Sequence, residues 1–107
     1  MSLADKVCLP CQGNVPSLTP QQWKPLLAQL KDWQVNPNHH LVKSIKTKDF
    51  ATALELTNKI SAIAEEQQHH PDILLRWGEL NIELWTHAIA GLTEADFILA
   101  AKIDRLL

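Results

Sequence analysis

The sequence has no long hydrophobic run, and this absence excludes one class of protein. Nowhere in its 107 residues is there anything close to the roughly 20 consecutive apolar residues that a membrane helix needs. The segment Met1–Lys6 also lacks the continuous apolar core of a secretory signal. We therefore expect a cytoplasmic protein with no membrane partner.

An excess of positive charge is also missing. The chain has 10 Lys plus Arg against 12 Asp plus Glu, with a net charge of −2, so no broad basic field attracts a phosphate backbone. Nucleic acid is therefore not an expected partner. There is no internal repeat and no low-complexity tract, and the length and the hydrophobic fraction of 46% suit one compact globular domain.

Cysteine is scarce, with only Cys8 and Cys11, in the order Cys8-Leu9-Pro10-Cys11. Two thiols do not complete a four-ligand zinc site, and the segment does not close a strand-to-helix turn of thioredoxin type. A half-site or a redox switch remains an alternative to a simple N-terminal arm that packs on the domain or on a neighbour. We expect residues 1–17 to be this arm and residues 18–107 to be a single domain.

Three segments show helical periodicity. The first helix starts at Thr19-Pro20, and the third starts with Thr93 as N-cap and Asp96 three residues later. A longer second helix, capped by Thr47 or Asp49, should run on until Pro71 forbids it, with a histidine pair at its end. The expected inner positions are Trp23, Leu26, Leu27 and Leu30 in the first helix, Phe50, Ala53, Leu56, Ile60 and Ile63 in the second, and Ala95, Leu99, Ile103 and Leu106 in the third.

Two hairpins lie between these helices. The first joins residues 33–35 to 41–45, and the second joins residues 73–77 to 80–85 around Gly78-Glu79. In the last strand Leu80, Ile82 and Leu84 alternate with Asn81, Glu83 and Trp85, which predicts one buried face. The element order is α-β-β-α-β-β-α. We expect an α+β, two-layer fold: a four-stranded antiparallel sheet with three helices on one face.

Histidines follow two of these elements. His69 and His70 precede the third strand and His87 follows the fourth, and a tight hairpin brings these two points together. The carboxylates of Glu65, Glu66 and Asp96 are near them in the predicted fold. Imidazoles exchange protons near neutral pH, and a neighbouring carboxylate fixes their tautomer, so a pocket here suits proton transfer.

The same residues allow other interpretations. His69 and His70 could simply cap a helix C-terminus, where cationic side chains are favoured. Zinc binding is less favoured, since adjacent histidines rarely direct both rings at one ion. His39 and His40 follow Pro37 in a turn-like segment, and we interpret them as surface polar residues. The four tryptophans are interpreted as core or interface anchors rather than as a base-stacking platform.

The sequence resembles the pterin-4a-carbinolamine dehydratase family. The resemblance lies in an acidic residue at Glu65, the run His69-His70-Pro71, an aromatic at Trp77, Thr86-His87 followed by Gly91-Leu92-Thr93, and Asp96. The segment Lys48-Asp49-Phe50 with Ala53 is similar to the start of the family's central helix, and the likeness extends from about Leu18 to the end of the chain.

The resemblance implies an enzyme that removes water from 4a-hydroxytetrahydropterin to give quinonoid dihydropterin, in tetrahydrobiopterin recycling. It implies no metal and no organic cofactor, a small-molecule pterin as substrate, and a homodimer or homotetramer. His69, His70 and His87 would be catalytic, with proton transfer by His69 and His87. Residues implied in substrate binding are Glu65, Pro71, Thr86, Ala88, Ile89 and Asp96.

Three positions depart from the family pattern: Ile73 replaces a common Trp, Trp77 a common Tyr, and Ala88 a frequent acid. Because the three histidines are intact, we expect the chemistry to persist with altered substrate affinity. The alternative function is a non-catalytic protein-interaction module, a dimerisation cofactor, on the same fold. A role near another pterin, such as molybdopterin, also stays open.

Overall fold

A computed structural model describes residues 2–8, 16–37 and 39–107. Within these ranges the strands are β1 (Gln34–Val35), β2 (Leu41–Lys46), β3 (Asp72–Arg76) and β4 (Glu79–Leu84). The α-helices are α1 (Pro20–Leu27), α2 (Phe50–Gln67) and α3 (Glu94–Asp104), and short 3-10 helices span Leu3–Asp5 and His87–Ile89. None of the described helices is long and apolar enough to cross a bilayer.

The four strands form one antiparallel sheet in the order β1-β2-β4-β3. The side chains of Leu80, Ile82 and Leu84 are buried beneath the helices, and the alternate positions of β4 lie on the helix-free face. The predicted fold class, with its two layers and its order of helices and strands, is therefore confirmed.

Helix α3 lies at the centre of the molecule. All six residues from Ala95 to Ala100 are buried, and so is Ile103. A helix that is buried on every side has no solvent face, so its position is set by neighbours all around it. It packs against α1, α2 and the N-terminal 3-10 helix.

The described N-terminal residues, 2–8, pack along α3. Leu3, Ala4 and Cys8 are buried, and Lys102 Nζ donates to the Ala4 carbonyl oxygen at 2.9 Å. The Cys8 amide donates to Gln67 Oε1 at 2.9 Å, and Cys8 Sγ lies 3.5 Å from the Ala95 carbonyl oxygen. Burial raises the pKa of the free Cys8 thiol to about 11. Cys11, the other half of the possible metal or redox pair, lies outside the described residues.

Three local predictions differ from the structure. Helix α2 ends at Gln67 and not near Pro71, because Gln68 adopts the left-handed conformation with φ 53°. The histidine pair therefore follows the helix. Phe50, predicted to lie on the inner stripe of α2, is exposed in its first turn. The β3–β4 turn is formed by Trp77-Gly78, one residue earlier than predicted, with Gly78 at φ 76°.

A buried ion pair holds the C-terminal end of α3. Lys43 Nζ donates to Asp104 Oδ1 at 2.9 Å, and the two side chains are 7% and 11% exposed. Asp104 also accepts from Trp33 Nε1 at 2.9 Å and from the Lys31 amide at 3.0 Å. One carboxylate thus joins α3 to β2 and to the loop before β1.

We predict that Asp104→Ala lowers the free energy of unfolding by about 3 kcal/mol, because it leaves the Lys43 ammonium buried without its counter-ion. Urea denaturation at fixed protein concentration measures this. The matched control is Lys46→Met, which breaks the exposed pair with Glu79 on the same strand and should change stability by less than about 0.5 kcal/mol. Equal effects of the two substitutions would contradict a stabilising role for the buried pair.

We also predict that Cys8 resists alkylation in the folded protein. Relative to the ordinary thiol value of 9.0, a pKa of about 11 leaves roughly 100-fold less thiolate at pH 8. The rate of iodoacetamide labelling, followed by mass spectrometry in a Cys11→Ser background, should therefore rise sharply when urea is added. Similar rates in native and unfolded protein would show that Cys8 is accessible and ionised normally.

Candidate active site

The carboxylate of Asp96 lies in the first turn of α3 and is fully buried. Its Oδ2 accepts from the Thr93 amide and from Thr86 Oγ1, both at 2.9 Å, and its Oδ1 lies 2.6 Å from His69 Nε2. The helix N-terminus favours a negative charge at this position. Asp96 therefore both caps the start of α3 and orients the His69 ring.

His69 is the anchored histidine of the group. It lies just beyond α2, where its amide donates to the Ala64 carbonyl oxygen at 3.2 Å, and its side chain is 13% exposed. Since a carboxylate only accepts, the bond to Asp96 places a proton on Nε2. The other ring nitrogen, Nδ1, is then the atom that can exchange a proton with a ligand.

His70 is held much less firmly. Its Nε2 lies 3.1 Å from Glu65 Oε2, and the two side chains are 54% and 73% exposed. An ion pair this exposed constrains the ring only weakly. Pro71, directly after it, is half-buried and leads into β3.

His87 stands on a small closed loop. The backbones of Thr86 and Gly91 hydrogen-bond to each other at 2.8 and 3.4 Å. The 3-10 helix between them is followed by Ala90, which has φ 51°. A side chain at Gly91 would overlap Ser17, since its Cβ would lie 2.8 Å from the Ser17 Cβ. The His87 side chain is exposed, and its ring lies 4.3 Å from the Trp85 ring, tilted by 43°.

These residues surround an open cavity of about 170 Å³. Its lining consists of Gln68, His69, His70, Trp85, Thr86, His87 and Ala88. All three histidines predicted from the sequence thus meet in one cavity, together with Thr86 and Ala88. Glu65 and Asp96 contact it through His70 and His69, whereas Pro71 and Ile89 are not part of the lining.

Sequence reasoning missed three residues around this cavity. Trp85 and Gln68 line it, and His40 stacks on Trp85 with ring centroids 4.0 Å apart. The interpretation of His39 and His40 as surface polar residues is wrong for His40, because its ring is largely covered by Trp85 and pairs with Glu83. His39 is exposed, as expected. The available signal was that Trp85 lies two residues before His87 in the sequence.

A larger depression, of about 560 Å³, lies on the helix-free face of the sheet. It is lined by strand residues such as Ser44, Leu74 and Asn81, and none of the site residues predicted from the sequence is among them. Among the residues that the structure describes, no group of three or more His, Cys, Asp or Glu side chains is arranged to hold a metal ion. The histidine cavity is therefore the candidate site for acid–base chemistry.

Comparison with known proteins identifies a family for this chain. A family model described as pterin 4 alpha carbinolamine dehydratase matches residues 16–106. A protein of Rickettsia bellii (strain OSU 85-389) is 52% identical over 106 residues, covering 98% of this chain and 94% of the relative. A protein of Rubrobacter xylanophilus is 48% identical over 104 residues, covering 97% of each chain. Both are named as candidate pterin-4-alpha-carbinolamine dehydratases.

A solved structure shares the fold as well. The crystal structure of a transcriptional coactivator/pterin dehydratase from Brucella melitensis superposes with a TM-score of 0.80 at 30% identity, covering 85% of this chain and 98% of that one. The family model spans nearly the whole chain, and the relatives are similar over their full length. The chain therefore belongs to the pterin 4 alpha carbinolamine dehydratase family, a family of hydro-lyases.

Proposed function

We propose that this protein dehydrates 4a-hydroxytetrahydropterin by histidine acid–base catalysis. The observation that supports this most directly is the meeting of His69, His70 and His87 in one open cavity, with His69 fixed by the buried carboxylate of Asp96. The reaction needs one proton donor and one proton acceptor on a small molecule, and imidazoles supply both near neutral pH.

The proposed step breaks one C–O bond and one N–H bond. A protonated imidazole gives its proton to the 4a-hydroxyl, which departs as water while the C4a–O bond breaks. A neutral imidazole takes the N5 proton, and the electron pair of that N–H bond forms the C4a=N5 double bond of the quinonoid dihydropterin. The two imidazoles have exchanged protonation states, and solvent protons reset them for the next turnover.

We assign the two proton transfers to His69 and His87 and the positioning of substrate to His70. The assignment of His69 is supported by its fixed ring, because Nδ1 can exchange a proton while Nε2 stays bonded to Asp96. His87 follows β4, whereas His69 follows α2. Its side chain is exposed and lines the cavity, so it can reach a bound ligand. His70, at the same cavity but loosely held by Glu65, can adjust to the substrate.

The wider role is part of the same proposal. We propose that the reaction serves tetrahydrobiopterin recycling, without a metal or organic cofactor, in a homodimer or homotetramer. An exposed Leu74 on the edge strand β3 supports self-association, since edge strands with apolar side chains are usually covered. The cytoplasmic location, the role of Pro71 and Ile89 in substrate binding, and the division at residue 17 stay predictions.

His87→Ala should abolish most of the activity and leave the fold intact. Removal of one acid–base group typically costs roughly 100-fold or more in rate, and the exposed ring contributes little to the core. Stopped-flow absorbance on synthetic 4a-hydroxytetrahydropterin, corrected for spontaneous dehydration, measures this. The matched control is His39→Asn, an exposed histidine whose left-handed backbone suits asparagine. Wild-type rates in His87→Ala would exclude the proposed role.

Asp96→Asn should lower kcat by roughly 100-fold, because the amide cannot accept from Thr86, the Thr93 amide and His69 all at once, and the His69 tautomer is no longer fixed. The control is Thr93→Ala, which costs about 1 kcal/mol of stability at the same helix N-terminus but keeps the pair between His69 and Asp96. Thermal unfolding and kcat are measured on both variants. Parallel losses of kcat would mean that Asp96 acts only through stability.

The alternative is a protein-interaction module, and one finding favours it: the Brucella melitensis neighbour is described as a transcriptional coactivator as well as a pterin dehydratase. The two functions differ in one measurement. An enzyme accelerates dehydration above the spontaneous rate, whereas a module that only binds does not. Absence of acceleration by the wild-type protein would therefore favour the module.

A further inference from the structure

Glu83, His40 and Trp85 form a column on the helix-free face of the sheet. His40 Nδ1 pairs with Glu83 Oε1. The His40 ring lies parallel to the Trp85 ring, with an interplanar angle of 5° and a centroid distance of 4.0 Å. The two flat rings are therefore stacked.

The strand register produces this column. Leu41 pairs with Leu84 and Val42 with Glu83, so His40 lies directly across from Trp85 at the next position of the ladder. The His40 backbone is also fixed: its amide donates to Asn36 Oδ1 at 2.9 Å, and its carbonyl oxygen accepts from the Asn36 amide at 2.9 Å. The β1–β2 turn therefore holds the backbone of His40, while Glu83 and Trp85 contact its ring.

Trp85 carries this constraint to His87. The His87 ring lies 4.3 Å from the Trp85 ring on one side, and His40 covers Trp85 by stacking. Among residues 2–8, 16–37 and 39–107 the His87 ring makes no hydrogen bond, and it contacts the Trp85 ring. Neither His40 nor Glu83 lines the histidine cavity, and a ligand there would not touch them.

We propose that His40 and Glu83 are positioning residues that act through Trp85 on His87. This inference rests on the proposed function, since it assigns His87 an acid–base role. Glu83 holds the His40 ring, the His40 ring fixes the plane of Trp85, and Trp85 limits the orientations of His87. A proton-transfer group that is misplaced by even about 1 Å can lose much of its effect on rate, whereas substrate binding at the other cavity residues is retained.

The kinetic test compares variants that keep different parts of the column. His40→Ala should lower kcat roughly tenfold and change KM by less than about twofold, because the missing contact lies outside the cavity. His40→Phe keeps the stacked ring but loses the pair with Glu83, and should lose less of kcat than His40→Ala. His40→Gln keeps a polar partner for Glu83 but no ring and should behave like His40→Ala. His39→Asn, the neighbouring exposed histidine, is the matched control.

A spectroscopic test does not depend on catalysis. Ring protons of His87, assigned by their loss in His87→Ala, should be displaced by the ring current of Trp85. His40→Ala should move these resonances towards the values of an unstructured histidine, and His40→Phe should not. Circular dichroism checks that each variant is folded. If His40→Ala does not fold, the same resonances are measured in Glu83→Gln, which removes the charged partner of His40.

The outcomes separate this inference from the proposed function. If the wild type does not accelerate dehydration, the dehydratase proposal fails. The His87 resonances of His40→Ala then still decide whether the column positions the ring: a shift supports this role, and unchanged resonances exclude it. If the wild type is active but His40→Ala leaves both kcat and the His87 resonances unchanged, the positioning role is excluded. If His40→Ala changes only KM, the positioning role is also excluded, because Trp85 would then affect substrate binding and not the orientation of His87.

Discussion

The buried carboxylate of Asp96 is the interaction on which the rest of the structure depends. Its donors come from three separate places: His69 after α2, Thr86 after β4 and the Thr93 amide at the start of α3. A fully buried charge is tolerated only when its partners are all in place. The chain therefore cannot close its core without also bringing His69 beside the loop that carries His87, so the candidate site is assembled by folding itself.

The three histidines differ in how firmly they are held, and the difference suits acid–base catalysis on a molecule that must enter and leave. His69 is fixed by a short bond to a buried group, whereas His70 has only an exposed partner. His87 lies on a closed loop and touches an aromatic ring. In the proposed mechanism, the fixed Nδ1 of His69 defines where the ligand must react, and the two more exposed rings can adapt to it.

The fold could be predicted because its signals are local. Thr93 with Asp96, and the alternation from Leu80 to Trp85, each lie within a few residues of the structure that they specify. The end of α2 could not be predicted, because it depends on Gln68 taking a left-handed conformation, and Pro71, three residues beyond, does not indicate that conformation. The site histidines could be grouped from the topology alone. The contact of His40 with Trp85 could not be predicted, because the two residues are 45 positions apart and meet only in one strand register.

Helix α3 is held at both of its ends by carboxylates, and the two ends have opposite electrostatics. At its N-terminus the dipole favours Asp96, whereas at its C-terminus the same dipole disfavours Asp104, which is stabilised by Lys43 and by donors from Trp33 and Lys31. Because the residues from Ala95 to Ala100 are buried, α3 cannot shift at one end without disturbing the packing at the other. The ion pair between Lys43 and Asp104 thus helps to set where Asp96 meets His69, although it lies at the far end of the helix from the candidate site.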